Sequence, residues 1–200
     1  GERRTVGQGF AGATAAADAA HAAGALALVD AAQFAPHRRT DVAAWDADFV
    51  GVTGHKMLGP TAIGALWARP ELLDAMPPFL GGGEMIRDVR QDGFTPNEVP
   101  WKFEAGTMPI AEATGLAAAI DYLDGLGMDD IAAHEVALTG YALRALEARF
   151  GDRLTIYGPA DVEGRGATIS FLFEGIHPHD VSQVVDEHGH PRRLALDPGH

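Results

Sequence analysis

Three short apolar runs, each ending close to polar residues, constrain the fold of this chain more than any other feature of its sequence. They occupy residues 25–29, 49–52 and 63–67. Runs of this length without polar alternation are typical of strands buried on both faces of a parallel sheet. A stretch of strong helix formers, residues 13–23, precedes the first run and predicts a helix that ends at Gly24. The pattern therefore predicts an α/β fold with a mostly parallel sheet.

The second half of the chain has its own pattern of helices and strands. Helices are predicted over residues 110–123 and 128–150, strands over 154–157 and 167–173, and a further helix over 181–187. Residues 77–100 are rich in glycine, proline and charge, and they predict a long loop. The histidines and aspartate at 177–180 could be metal ligands, but a helix that starts at Asp180 or Pro178, with exposed histidines, is the favoured interpretation.

The composition excludes several classes of function. The 200 residues carry a formal net charge of −13, which argues against a nucleic-acid partner. Because the chain has no cysteine, it has no disulfide, thiolate metal site or cysteine nucleophile. No apolar stretch reaches the roughly 18 residues of a membrane-spanning helix, and residues 12–25 lack the leucine-rich core of an export signal. We therefore expect a cytoplasmic protein without a membrane partner.

Lys56 follows the second apolar run and stands between Gly54 and Gly59. A lysine amine is a nucleophile only when desolvation or a nearby cation lowers its pKa. Glycines on either side allow the backbone to approach a ligand closely. These surroundings support a reactive lysine and an ordinary surface lysine in a turn equally well.

Asp30 ends the first apolar run, where an unpaired carboxylate would be costly to bury. A protonated pyridine nitrogen would be a fitting partner, because a carboxylate there keeps the ring cationic and electron-withdrawing. Taken alone, Asp30 is better explained as a cap or turn residue. However, Asp30 and residues 53–56 both stand at the carboxyl ends of predicted strands, where open α/β sheets bind ligands. Together they favour a pyridoxal phosphate site.

These residues belong to an ordered set of motifs. The set comprises Val29-Asp30-Ala31-Ala32-Gln33, Thr53-Gly54-His55-Lys56, Gly59-Pro60-Thr61-Ala62-Ile63-Gly64, Met76-Pro77-Pro78, Gly81-Gly82-Gly83-Glu84-Met85-Ile86, Pro100-Trp101-Lys102-Phe103-Glu104-Ala105-Gly106-Thr107 and Tyr157-Gly158-Pro159. It resembles the central motifs of Suf-type cysteine desulfurases, which are class-V aminotransferases among the fold-type I pyridoxal phosphate enzymes. The resemblance runs from about residue 21 to about residue 189.

The resemblance implies a role for each residue of the cofactor site. Lys56 would hold pyridoxal phosphate covalently and later move the proton of the substrate Cα. Asp30 would pair with the pyridinium nitrogen, and Gln33 would hydrogen-bond the phenolic oxygen of the ring. Thr53, where serine is usual, and His55 would bind the cofactor phosphate.

The resemblance also implies partners and a domain organisation. Gly106 and Thr107 would reach the phosphate bound in the other subunit of a homodimer. The substrate would be L-cysteine, converted to L-alanine while its sulfur passes through a persulfide to a sulfur-acceptor protein that serves iron–sulfur cluster assembly. Residues 1–110 would form a partial cofactor-binding large domain, and residues 111–200 a helical connection with part of a small α+β domain.

The family pattern is not matched at either end of the chain. The family continues with an arginine and then a Gly-His-His-Cys type loop, whereas residues 190–200 match neither, and the part that carries a ring-stacking histidine is altered before residue 21. We therefore expect a chain that is truncated or out of frame at both ends, with impaired activity. A selenocysteine lyase or other class-V enzyme, and a non-catalytic remnant, are the alternatives; the Met-Pro-Pro and Gly-Gly-Gly-Glu-Met-Ile segments favour a desulfurase.

Overall fold

The computed structural model describes residues 10–159, 161–162 and 164–188. The altered segment at residues 190–200 therefore lies outside the described residues. The chain divides into two compact units, Gly1–Ala132 and Ala133–His200. No helix in the described ranges is both long enough and apolar enough to cross a membrane.

The first unit contains helices, a three-stranded sheet and a separate hairpin. Its elements are α1 (Phe10–Ala22), β1 (Leu28–Asp30), α2 (Val42–Trp45), β2 (Phe49–Thr53), β3 (Gly64–Ala68), α3 (Pro70–Ala75), β4 (Ile86–Arg90), β5 (Gly93–Pro96), α4 (Ile110–Leu126) and the beginning of α5 (Met128–Phe150). Short 3₁₀ turns occupy Gly54–Lys56 and Trp101–Phe103. All three apolar runs form strands close to the predicted positions.

The main sheet has the order β1-β2-β3. Strands β1 and β2 are parallel, with Asp30 opposite Gly51, whereas β3 runs antiparallel to β2, with Ala65 opposite Val52. The prediction that the first and third runs are buried strands was wrong, because no residue of β1 and only Ala68 of β3 is buried. The connection between β2 and β3, residues 54–63, is shorter than the crossover that a parallel pair needs, so an antiparallel return is the accessible geometry.

One face of the sheet carries the core of this unit. Val29 and Val52 pack against a cluster of buried residues that includes Val50 and Trp45. The ring of Phe34 meets the Trp45 ring edge to face at a centroid distance of 5.1 Å. The remaining buried members of the cluster are Ala13, Ala31 and Ala47.

The predicted loop at residues 77–100 contains a β-hairpin and was therefore wrong in part. Strands β4 and β5 pair antiparallel and are linked by two residues, Gln91 and Asp92. Arg90 Nη1 donates to Thr95 Oγ1 across the pair at 2.8 Å. The sequence signal is weak because charged residues fill β4 and most of the hairpin is exposed, so the apolar alternation of a half-buried strand is missing.

The second unit contains the rest of α5 together with β6 (Leu154–Tyr157), β7 (Ser170–Phe173) and α6 (Pro178–Glu187). The two strands are antiparallel, and Phe173 meets the rings of Phe150 and Phe171 at 4.9 Å and 5.6 Å. Helix α6 begins at Pro178, one of the two expected starts, and His177 is its N-cap: its Nδ1 accepts from the His179 backbone N–H at 3.2 Å.

A buried carboxylate joins four segments at the amino end of the main sheet. Asp48, which precedes β2, is 4% exposed. Its Oδ2 accepts from the Ala27 N–H at 2.7 Å and lies 2.9 Å from His21 Nε2, while its Oδ1 accepts from Arg69 Nε at 3.0 Å. Arg69 Nη2 also donates to Asp46. These four side chains, His21, Asp46, Asp48 and Arg69, are called the Asp48 cluster below.

The Asp48 cluster holds the pKa of Asp48 below its ordinary value. Burial alone would raise this pKa, but the hydrogen bonds from Ala27 and His21 and the charges of His21 and Arg69 outweigh that effect. The folded state therefore binds the Asp48 proton more weakly than the unfolded chain does. The resulting stabilisation is fully present above the ordinary pKa of 3.8 and is lost as the pH falls through the lower, folded value.

We expect Asp48→Asn to lower the free energy of unfolding by about 1–3 kcal/mol at pH 7, because it removes hydrogen bonds to a buried charged group. Urea unfolding at pH 7 and at a series of pH values below about 4 measures the difference. The difference should shrink in acid, where the wild-type carboxylate becomes protonated. Asp46→Asn, in the exposed member of the cluster, is the control and should cost less; an equal loss would contradict this account.

Candidate cofactor site at the strand ends

The carboxyl ends of β1 and β2 bring four of the predicted site residues to one edge of the sheet. Asp30 is the last residue of β1 and is paired with Gly51, and Thr53 is the last residue of β2. His55 and Lys56 follow within the 3₁₀ turn. Because β1 and β2 are neighbours and parallel, both chain segments leave the sheet in the same direction. Asp30, Thr53, His55 and Lys56 are called the strand-end site below.

Asp30 is exposed and presents a carboxylate that is only partly used. One oxygen, Oδ1, accepts from the Ala32 N–H at 2.9 Å, which forms a local turn and fixes the carboxylate plane. The Ala31 N–H bonds to the Gly51 carbonyl at 2.9 Å and extends the β1–β2 pairing by one residue. Asp30 is therefore a turn residue, as its sequence context suggested. Its second carboxylate oxygen has no hydrogen-bond partner within the described residues.

Thr53 and His55 form a polar pair beside this turn. The Thr53 hydroxyl lies 3.0 Å from His55 Nδ1, and its direction of donation depends on the histidine tautomer. Thr53 is half-buried and His55 is exposed. Whichever of the two accepts in this contact keeps its own O–H or N–H, so the pair can donate to an anion such as a phosphate.

Lys56 is half-buried and makes no ion pair within the described ranges. Its turn is held from inside by Gly54, whose N–H bonds to the Ile63 carbonyl at 2.8 Å and whose carbonyl accepts from Met57 and Gly59, each at 2.9 Å. The amine thus stands on a fixed backbone without a competing carboxylate. That combination suits covalent attachment of a carbonyl compound.

Gly54 is required by the space around it. A Cβ at this position would lie 2.8 Å from the Cγ2 of Ile63 and 3.1 Å from the carbonyl oxygens of Pro60 and Ile63. Two of these three neighbours are backbone atoms, which cannot move aside without displacing the segment from 60 to 63. The absence of a side chain at Gly54 therefore allows the turn that carries Lys56 to pack closely against residues 60–63, which precede β3.

The remaining predicted site residues lie on other segments. Gln33 is exposed in the helical turn that follows β1, three residues after Asp30. Gly106, with φ +87°, donates its N–H to the Gly83 carbonyl at 3.0 Å, and Thr107 beside it is exposed. Gly106 is thus bonded to the triple-glycine segment, and no hydrogen bond within the described residues joins Gly106 or Thr107 to the strand-end site.

The strand-end site has the donor set that pyridoxal phosphate requires. It offers an amine for the aldehyde, a carboxylate oxygen for the ring nitrogen and a hydroxyl–imidazole pair for the phosphate. Within the described part of the chain, no group of three or more histidine, cysteine or acidic side chains could hold a metal ion. The residues present fit the cofactor that the sequence predicts.

Two sets of contacts near Gly106 and Thr107 were not predicted from the sequence. Asn97 donates its Nδ2 to the Glu84 carbonyl at 3.1 Å and accepts from the Glu98 N–H at 2.9 Å. Lys102 Nζ donates to the carbonyls of Leu73 and Asp74 at 3.0 Å and 2.8 Å. An asparagine directly after a strand that ends in proline is a turn signal, and it could have indicated the contacts of Asn97. The second joins distant residues and leaves no local signal.

We expect Gly54→Ala to lower the free energy of unfolding by about 1–3 kcal/mol, because the added methyl group has no room. Thermal unfolding followed by circular dichroism measures the change. Gly125→Ala, within α4, is the matched control, because a Cβ there meets nothing within 4 Å and alanine favours a helix. Equal effects of the two substitutions would rule out the steric explanation.

Comparison with known proteins gives consistent matches over most of the chain. The model of the class-V aminotransferase family matches residues 6–191. A probable cysteine desulfurase of Streptomyces coelicolor is 57% identical over 178 residues, which are 88% of this chain and 41% of that protein. The chain therefore spans about two fifths of the length of this relative.

Solved structures agree with these matches. The apo cysteine desulfurase of Thermococcus onnurineus superposes with a TM-score of 0.79 at 37% identity, over 86% of this chain and 43% of that one. A cysteine desulfurase of Escherichia coli gives a TM-score of 0.74 at 35% identity, over 88% and 42% of the two chains. The predicted α/β fold class, as part of a larger fold of this type, is confirmed.

Proposed function

Because the chain belongs to the class-V aminotransferase family, we propose that it works as a pyridoxal phosphate-dependent cysteine desulfurase of the Suf type. The proposal rests most directly on the parallel pairing of β1 and β2, which brings Asp30 and Lys56 to one edge of the sheet. It is supported by the identity to cysteine desulfurases, 57% in one case. The proposed substrate is L-cysteine and the proposed product is L-alanine.

The cofactor, when bound, supplies an electron sink that stabilises negative charge at the Cα of an amino acid. Each residue of the strand-end site has a separate task toward it. Lys56 holds the cofactor and, as a free amine, takes the proton from the substrate Cα. Asp30 directs its open oxygen to the ring nitrogen and keeps that nitrogen protonated. Gln33 donates to the phenolic oxygen of the ring.

Thr53 and His55 recognise the cofactor phosphate in this proposal. Their mutual contact of 3.0 Å keeps the two side chains together before the phosphate arrives, and the one that accepts in this contact donates its own O–H or N–H to the phosphate oxygens. Their backbone is part of the turn packed against residues 60–63. The phosphate therefore meets a site that is already ordered, which reduces the entropic cost of binding.

Gly106 and Thr107 act on the phosphate of the other subunit in a proposed homodimer. Large apolar side chains are exposed on the segments that flank this loop, among them Ile110 at 69% and Phe79 at 90%. Exposed apolar side chains that flank one loop are typical of a surface that another protein covers. This surface supports a subunit interface near the Gly106 loop.

The sulfur leaves L-cysteine when a thiolate attacks it and a persulfide forms. The 200 residues contain no cysteine, so they do not themselves supply this thiolate. We propose that the sulfur passes to a sulfur-acceptor protein that serves iron–sulfur cluster assembly in the cytoplasm. These residues supply the cofactor chemistry, and without a thiolate their own turnover of L-cysteine is impaired.

Borohydride reduction in the presence of pyridoxal phosphate tests the cofactor site. The chain has two lysines, Lys56 and Lys102, and Lys102 Nζ already donates to two carbonyls. We expect one pyridoxyl group per chain on Lys56, located by peptide mass spectrometry, and none in Lys56→Ala.

A label shared equally between Lys56, Lys102 and the N-terminal amine would show non-specific modification and would contradict the proposal. Absence of label on Lys56 would instead support a non-catalytic chain. Release of alanine from L-cysteine, with and without dithiothreitol as thiol acceptor, then tests turnover. Faster release of alanine from L-selenocysteine, in a side-by-side assay, would assign the chain to the selenocysteine lyases.

A further inference from the structure

We propose that Lys102 is a positioning residue for recognition of the cofactor phosphate. It fixes the loop that carries Gly106 and Thr107, and thereby sets how tightly that loop binds a phosphate held in the other subunit. The inference rests on the proposed function, in which this loop contacts the phosphate. Lys102 itself does not touch the cofactor.

Lys102 is anchored to the end of a neighbouring helix. Its Nζ donates to the carbonyls of Leu73 at 3.0 Å and Asp74 at 2.8 Å, in the last turn of α3. The last carbonyls of a helix lack partners within the helix, and a cation is favoured at this end of the helix dipole. Lys102 is half-buried, so its two hydrogen bonds are partly shielded from water.

A short, internally bonded turn transmits this anchor to the loop. The Lys102 N–H bonds to the Glu98 carbonyl at 2.9 Å, and the Glu104 N–H bonds to the Trp101 carbonyl at 3.0 Å. Gly106 follows two residues after Glu104 and has no side chain of its own to hold it. The position of the Lys102 side chain on α3 therefore limits where Gly106 and Thr107 can lie.

A second anchor holds the loop from the opposite end. The Gly106 N–H bonds to the Gly83 carbonyl at 3.0 Å, and Asn97 fixes the next residues by bonding to the carbonyls of Glu84 and Met85. Met85 is fully buried. This second anchor is made of neutral groups, so Lys102 supplies the charged contact among the two anchors. Hydrogen bonds from a charged donor are stronger than those between neutral groups.

The loop leaves one donor open at its tip. Thr107 is exposed, and its hydroxyl has no hydrogen-bond partner within the described ranges. A hydroxyl on a loop held at both ends loses little freedom when it binds an anion. Release of the Lys102 anchor would add that freedom and weaken phosphate binding, while leaving the strand-end site unchanged.

The test compares two cofactors that differ only in the phosphate. The dissociation constants of pyridoxal phosphate and of pyridoxal are measured by absorbance titration for the wild type, Lys102→Met and Lys102→Arg. We expect Lys102→Met to reduce the preference for the phosphorylated form about tenfold. Lys102→Arg, which can still donate to both carbonyls, should restore most of the preference.

The ratio of the two constants is insensitive to partial unfolding, because unfolded chains are lost to both titrations alike. Asp48→Asn serves as the control for general destabilisation and should leave the ratio unchanged. Suppose that the wild type binds pyridoxal phosphate at Lys56 but that Lys102→Met has the same ratio of the two constants as the wild type. This result would overturn the role of Lys102 and leave the proposed function intact. A wild type without a cofactor adduct at Lys56 would instead overturn the proposed function.

Mixed dimers test whether the Gly106 loop of one subunit affects phosphate binding in the other subunit. A Lys56→Ala chain cannot hold the cofactor covalently but presents an intact Gly106 loop, whereas a Lys102→Met chain has the reverse defect. When the two are mixed, the site of the Lys102→Met chain receives an intact loop, so its preference for pyridoxal phosphate should return to the wild-type value. If a verified mixed dimer does not recover the wild-type preference for pyridoxal phosphate, the loop does not act on the phosphate of the other subunit.

Discussion

The buried carboxylate of Asp48 is the contact on which the arrangement of the first unit depends. It receives hydrogen bonds from Ala27, His21 and Arg69. Ala27 directly precedes β1, His21 lies at the end of α1, and Arg69 joins β3 to α3. Asp48 directly precedes β2, so these bonds hold the amino ends of β1 and β2 side by side. Since the two strands are parallel, their carboxyl ends then also lie together, and the strand-end site is located there.

Two aspartates, at opposite ends of neighbouring strands, differ in burial and in the number of hydrogen bonds that they accept. These differences suit one to stabilising the fold and the other to binding a ligand. The carboxylate of Asp48 is buried and accepts from three donors through both of its oxygens, and these donors lower its pKa although burial raises it. The carboxylate of Asp30 is exposed and bonded through one oxygen only. A stabilising group needs all its partners within the protein, whereas a cofactor-binding group must be held in place and still have one position open.

The sequence predicted the parts of this protein that depend on local pattern. The apolar runs gave β1 and β2, and the helix-forming stretches gave α4 and α5, with α5 at its observed bounds. The order of polar residues after the runs predicted that Asp30 and residues 53–56 lie at one edge of the sheet. The hairpin of β4 and β5 was missed because its strands are exposed and charged, and the direction of β3 was missed because an apolar run carries no information on its partner strand.

What the sequence alone determined is the chemistry available to this chain: an amine, a carboxylate and a hydroxyl–imidazole pair, each placed after a strand-forming run. The tertiary structure decided which of these groups are held, which are left open and which distant segments support them. Asp48 with His21 and Arg69, and Lys102 with the end of α3, are contacts between residues more than 20 positions apart. Such contacts have no local signature, because they depend on the packing of whole strands and helices.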